Sequence, residues 1–279
     1  MGRAGLRPAE QTMLGLANSA LGVASHPARQ FRSAAQMSQH APFSDAARSV
    51  DPNNFSYAFI SYYTYGSALA LALDLELRGR SGGKLALDDY MRAMWKAHGK
   101  PGGPQPGLVA KPYTLNDARD RLAEVSGDRA FAEDFFSRFV HGREIPDYAK
   151  LLEPAGIVVR KRNAGAAWSG LQMDRENAAT VGSLVAFGTP AFAAGIEAGD
   201  VITSVGGTAF TTLAAALKDR RPGESVAIEF RRPSGEVVKS TMTLGEDPGW
   251  QAATVESAGG TLTEAQKAFR EAWVGSRVK

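Results

Sequence analysis

Residues 185–207 read Val-Ala-Phe-Gly-Thr-Pro-Ala-Phe-Ala-Ala-Gly-Ile-Glu-Ala-Gly-Asp-Val-Ile-Thr-Ser-Val-Gly-Gly, and this order leaves the chain few ways to fold. Residues 181–187 are a β-branched and apolar run closed by Gly188-Thr189-Pro190, which predicts a strand running into a turn. Residues 191–194 then offer one helical turn, and Gly195 supplies its stop. Residues 201–205 re-enter a sheet behind Asp200, a turn former, and Gly206-Gly207 can take the positive φ angles of a tight hairpin.

The surrounding pattern is all short strands. Residues 168–173 predict a strand before the segment, and residues 225–231 and 237–244 predict a hairpin across Pro233-Ser-Gly235 after it. Residues 212–218 are the one sizeable helix of this half. Gly-Thr-Pro-Ala followed by Ala-Gly-Ile and Gly-Asp-Val-Ile resembles the PDZ domains of bacterial proteases, a family that binds peptides. The resemblance implies strand addition, in which an extended peptide pairs with an exposed sheet edge while backbone amides hold its terminal carboxylate. In the permuted bacterial arrangement the carboxylate loop falls at Trp168-Ser169-Gly170-Leu171 and residues 171–174 form the pairing strand. Leu213 and Leu217 then line the pocket for the last apolar side chain. The alternative is a groove filled by the protein's own segments.

Before about Ala164 the period is helical. Residues 8–22 predict a first helix with Pro8 in its first turn, residues 65–78 one that is apolar nearly all round, and residues 87–98 one carrying Leu87, Tyr90, Met91, Met94 and Trp95 on a single buried side. Lys100-Pro-Gly-Gly-Pro-Gln-Pro-Gly107 must be a loop, after which Thr114 caps a helix over 115–125 with Asp117 as its capping-box partner. Phe131, Phe135, Phe136 and Phe139 form a helical core stripe, residues 147–153 a short helix, and residues 263–273 a last helix capped by Thr263. That last helix is expected to dock on the first domain.

A second resemblance lies in this half. Ser61-Tyr62-Tyr63-Thr64-Tyr65-Gly66 followed by Leu69-Ala-Leu-Ala-Leu-Asp-Leu-Glu-Leu-Arg78 resembles a segment of the glycyl aminopeptidase family, thermolysin-like zinc metallopeptidases with a carboxy-terminal PDZ domain. Arg3-Ala-Gly-Leu6, Pro27-Ala-Arg29, Leu87-Asp-Asp-Tyr-Met91, Phe139-Val-His-Gly142 and Gln266-Lys-Ala-Phe-Arg-Glu-Ala-Trp273 match in order, so the similarity spans practically the whole chain. It implies that Tyr63 donates a hydrogen bond to the oxyanion of a tetrahedral intermediate, charge that develops only in the transition state. Without it, Tyr57, Tyr62, Tyr63 and Tyr65 read as an aromatic core cluster. Many relatives carry Lys where this chain has Tyr65.

The family's zinc needs a His-Glu-x-x-His helix, with two histidines four apart and a glutamate that activates water. The histidines here are His26, His40, His98 and His141, no two of them four apart and none followed by Glu. His141 with Glu144 has helical spacing but reads as a surface loop. The expectation is therefore no metal ligand in this chain, and zinc only in the full-length family.

Charge and composition narrow the partners. Thirty-two basic residues against 29 acidic ones leave +3, and the short clusters Arg160-Lys161-Arg162, Arg220-Arg221 and Arg231-Arg232 lack interleaved stacking aromatics, so no nucleic-acid partner is expected. The absence of cysteine excludes disulfides and a thiol nucleophile and leaves the compartment open. Residues 66–77 are too short and carry Asp74 and Glu76, so no membrane span is expected. A signal peptide over 13–24 is disfavoured by Glu10, Gln11 and Asn18, and the choice between periplasm and cytoplasm leans slightly to the former. No Gly-x-Ser-x-Gly element suggests serine catalysis.

The expectation is an α+β chain: residues 1–163 as the helical subdomain of a thermolysin-like peptidase, 164–248 as a PDZ domain, and 249–279 as a tail with a docking helix. Two functions follow. One is the carboxy-terminal part of a zinc aminopeptidase with N-terminal Gly or Ala preference, inactive without the missing amino-terminal part. The other is a non-catalytic PDZ protein that binds peptides, protein carboxy-termini or a partner protease. An open apolar patch on the helix over 66–77 would imply a missing domain, and a helix covered by this chain's own residues would favour the second.

Overall fold

A computed structural model describes residues 4–47, 58–105, 107–175, 178–182 and 184–275. Arg3, Tyr57 and Ser183, which entered the motifs and runs above, lie outside them. In chain order the elements are helices α1 (Ala9–Ser25), α2 (Ala34–Ala47), α3 (Tyr62–Ser81), α4 (Leu87–Met94), α5 (Leu115–Ser126), α6 (Arg129–Phe135) and α7 (Tyr148–Leu152). Strands β1 (Ile157–Lys161) and β2 (Ala167–Trp168), helix α8 (Pro190–Ala193), strands β3 (Val201–Val205) and β4 (Thr208–Ala209) and helix α9 (Leu213–Leu217) come next. Strands β5 (Ser225–Arg231), β6 (Val237–Thr243), β7 (Gly245–Glu246) and β8 (Trp250–Thr254) and helix α10 (Glu264–Val274) complete the chain. Contacts divide it into one unit of Met1–Arg160 with Trp250–Lys279 and a second of Lys161–Gly249.

The first unit is a helical assembly around α3. A helix this apolar must bury more than one face, and Tyr65, Ala68, Leu69, Leu71 to Leu75, Leu77 and Arg78 are all buried. Its covers are this unit's own helices α1, α2, α4 and α7. Gly82 ends it in the left-handed region at φ 61°, and the Gly83 N–H closes back on the Arg78 carbonyl at 2.8 Å. Two charges are buried in its middle. Arg78 Nε donates to Asp74 Oδ2 at 3.0 Å, the other Asp74 oxygen accepts the Leu87 N–H at the start of α4 at 2.8 Å, and Arg78 Nη1 donates to the Ala272 carbonyl of α10 at 3.3 Å. One ion pair thus ties three helices, and breaking half of it would strand a buried charge.

The tail belongs to this unit. β8 pairs with β1, the Ala252 N–H donates to Asn18 Oδ1 of α1 at 2.9 Å, and Trp273 is buried against the helical core. Arg270 reaches the Ala155 and Gly156 carbonyls at 2.6 and 3.0 Å. Thr263 caps α10 through the Gln266 N–H, and Thr114 caps α5 through the Asp117 N–H while Asp117 accepts from the Thr114 N–H. The four phenylalanines at 131, 135, 136 and 139 are all buried, the helix widening into a π-turn at Phe136–His141.

Three expectations are corrected. The described residues of 181–187 form no strand: Val181 bridges Met173 and Thr180 bridges Val201, and the run before Met173 turns at Gly170 with φ 79°, leaving no longer partner for a ladder. Of residues 168–173, only Trp168, at the end of β2, and Met173, in a bridge, are paired, because the chain turns at Gly170 with φ 79°. On α4 only Leu87, Tyr90 and Met94 lean on the core, while Met91 and Trp95 are exposed on its rim, and the helix gives way to a π-turn at Trp95–Gly99. Helix α2, with Pro42 inside it, and the β1–β8 pair had no counterpart in the sequence reading.

The second unit is a small antiparallel sheet in the order β4-β3-β5-β6, with β2 paired to β7. Leu171, Val181, Val185, Ile196, Ile202, Val226, Ile228, Phe230 and Met242 make its core. Asp200, fully buried before β3, accepts the Glu197 N–H at 2.9 Å, and its backbone carbonyl accepts the Val181 N–H at 2.8 Å. Gly206 and Gly207 take φ 63° and 78° in the β3–β4 turn.

Candidate functional site

The loop Trp168-Ser169-Gly170-Leu171 leaves β2 and is pinned from behind by α8. Thr189 caps α8 through the Phe192 N–H, and the Ala191 N–H donates to the Ser169 carbonyl at 2.9 Å. A Cβ on Gly170 would come within 2.5 Å of Thr189 Cβ, and its φ of 79° is one that L side chains rarely adopt. Gly170 is therefore required twice over, by conformation and by close approach. Ser169 and Leu171 are buried and Gly170 is half-buried. The Leu171 N–H donates to Ser169 Oγ at 3.2 Å, a local bond across two residues.

Beyond the loop the chain presents a free edge. The Asp174 N–H donates to the Thr180 carbonyl and the Gly182 N–H to the Gln172 carbonyl, both at 2.9 Å. Alternation along an extended strand then turns the N–H and C=O of Met173 to the opposite side. Among the described residues neither has a hydrogen-bond partner, and nor has the Leu171 carbonyl. Leu213 and Leu217, half-buried on α9, pack against the same apolar core as Leu171 and Met173. Thr212 caps that helix through the Ala215 N–H at 3.1 Å. Trp168 sits in the β2–β7 pair opposite Gly245, its ring beside that glycine.

A cavity of about 360 Å³ lies on the other side of α9, lined by Phe210, Ala215, Ala216, Lys218 and Arg220. It contains neither Leu213 nor Leu217, and its Arg220 is already paired with Glu224, so it is separate from the groove. Sequence reasoning missed Thr189. The Thr-Pro step before a helical turn signals the cap, whereas the backing of Gly170 by Thr189 is a tertiary contact that no local pattern announces.

Tyr63 lies in the first unit, in the first turn of α3, 75% exposed, its ring centroid 4.5 Å from that of Tyr62. Its neighbours divide. Tyr62 is half-buried against the core, and Tyr65 is buried, its phenol raised by burial with the Arg29 charge opposing. The Tyr65 hydroxyl has no hydrogen-bond partner among the described residues. Tyr148 donates from its hydroxyl to the Ala68 carbonyl at 3.0 Å, burial raising its phenol also.

Among the described residues no group of three or more His, Asp or Glu could hold a metal ion. Glu144, paired by spacing with His141, is instead held by Arg138 at 2.9 Å. No helix of the described residues is long and apolar enough to cross a membrane.

The sequence model of the PDZ domain family matches residues 156–243, so the chain carries a PDZ domain between its helical assembly and its carboxy-terminal helix. Among solved structures, the chain is similar to an aminopeptidase N family protein from Idiomarina loihiensis, with 20% identity and a TM-score of 0.65, over 93% of this chain and 45% of that one. The chain thus spans less than half of that protein's length, and the likeness shows the fold. An HtrA-type protease with a decapeptide matches at 20% identity and a TM-score of 0.27, over 36% of this chain and 33% of that one. A photosystem II D1 C-terminal processing protease matches at 17% identity and a TM-score of 0.24, over 63% and 43%. These two scores are too low to bear on the fold of the whole chain. No curated protein sequence is similar to it.

Proposed function

We propose that this chain is the carboxy-terminal part of a zinc-dependent aminopeptidase, in which the helical assembly walls the peptide cleft and the PDZ groove holds peptide segments. The observation that carries the proposal is the shared fold with an aminopeptidase N family protein across 93% of the chain and under half of that protein's length. The exposed Tyr63 hydroxyl at the rigid start of α3 fits an oxyanion donor, since its backbone is held by a buried helix while its ring stands in the open. The described residues do not fit a zinc site, so the metal would have to be held by residues other than these. PDZ domains bind peptides or protein carboxy-termini, and the free edge at Met173 supplies the ladder positions for such a partner.

The test is hydrolysis of N-terminal glycyl and alanyl amides by the native protein from its source. Tyr63→Phe is expected to lower kcat by about 100-fold with KM little changed, the signature of an interaction made in the transition state. An unaltered kcat, or no hydrolysis by the native protein, would refute the assignment.

One observation favours a second reading. Helix α3 is covered from Ala68 to Arg78 by this chain's own residues, as expected of a non-catalytic protein whose PDZ domain binds peptides or a partner protease. The peptide groove is common to both readings.

A further inference from the structure

We infer that the groove takes an extended segment from within a polypeptide, and that Ser169 withholds the site a terminal carboxylate would need. The inference rests on the groove being a peptide site. A carboxylate is held well only where several N–H groups converge or a cation stands beside it, because its hydration must be replaced.

The loop offers too few donors. The Leu171 N–H is already given to Ser169 Oγ at 3.2 Å, and both residues are buried, so the bond is not open to displacement from solvent. The Ser169 carbonyl points to the Ala191 N–H at 2.9 Å. The peptide bond after it is trans, so the Gly170 N–H must point the opposite way, outward. Of the adjacent Gly170 and Leu171 amides, only that of half-buried Gly170 is thus open to the groove. Residues 166–173 read Ala-Ala-Trp-Ser-Gly-Leu-Gln-Met and residues 213–217 Leu-Ala-Ala-Ala-Leu, so neither wall carries a cation.

What the groove does offer is indifferent to where a peptide ends. The Leu171 carbonyl and the Met173 N–H and carbonyl provide ladder positions, and Leu213 and Leu217 provide an apolar surface for a side chain. An internal segment satisfies both, without desolvating a charge.

The test selects binders from two random heptapeptide libraries displayed to the full chain, one with free carboxy-termini and one followed by a constant Gly-Ser extension. Both libraries are expected to enrich. The best sequence, synthesised as free acid and as amide, should bind within about 3-fold in the two forms. Ser169→Ala, which releases the Leu171 N–H, should tighten the acid by about 10-fold and the amide by less, turning near-equal binding into a preference for the acid, as expected for one hydrogen bond that is stronger to a charged group. Enrichment of the free-end library alone, or a 30-fold preference of the native sequence for the acid, would overturn the inference and leave the groove standing. Enrichment of neither library would refute the groove itself, and the inference with it.

Discussion

Gly170 shows how one residue can be fixed by a conformation and a contact together. Its φ of 79° and the 2.5 Å approach of Thr189 Cβ leave no room for a side chain, so Gly170→Ala should cost about 2 to 4 kcal/mol from backbone strain plus overpacking. Thermal unfolding checks this, and a loss under 1 kcal/mol would mean that the loop shifts freely. A variant here reports folding before it reports binding, which makes Ser169 the better probe of the groove. Gly170, Leu171, Leu213 and Leu217 were legible in the sequence because turn glycines and helical spacing are local signals. The Ser169 hydroxyl bond and the Thr189 backing were not, because which acceptor an amide finds depends on how the loop sits over α8.

At the scale of elements, the caps, the long helices and the strands at 201–205, 225–231 and 237–243 could be read directly, and the extended runs from Trp168 and from Val181 could not. Thr114 and Thr263 cap as their spacing predicts, since a cap is a contract among four consecutive residues. The failure at residues 181–187 is of the other kind, because a β-branched run becomes a strand only where a partner of equal length exists. One cap was hidden in a histidine. His26 Nδ1 accepts the Ala28 N–H at 3.2 Å, and burial lowers its pKa from the ordinary 6.5. The unfolded chain therefore binds the proton first, so stability holds above pH 6.5 and falls as the pH drops from there toward the lower folded value. Loss of the cap is worth about 1 kcal/mol. His26→Asn, a cap that does not titrate, should flatten the melting temperature between pH 7 and 5, and an undiminished pH slope in that variant would sink the assignment.

The ion pair of Asp74 and Arg78 joins helices that are far apart in sequence. Asp74→Asn leaves Arg78 charged and buried, and should destabilise the chain by about 3 to 5 kcal/mol. Replacing both together, Asp74→Leu with Arg78→Met, should recover most of that loss in a urea titration. Equal losses in the single and double variants would show that the helices are held by packing alone.

For the molecule as a whole, the α+β order of helical assembly, PDZ domain and closing helix was visible because the hydrophobic period changes near Ala164 and returns to helical after Thr263. The return of the chain through β8 to pair with β1 was invisible, since two five-residue strands separated by the whole second unit share no local signature. The central claim concerns what this fold serves. The most direct measurement is the intact mass and zinc content of the native protein recovered from its source through its PDZ domain. The account predicts a product well above 29.6 kDa, with about one zinc per chain and a His-Glu-x-x-His helix ahead of Arg3. A product of 29.6 kDa that begins at Met1 and carries no zinc would contradict it.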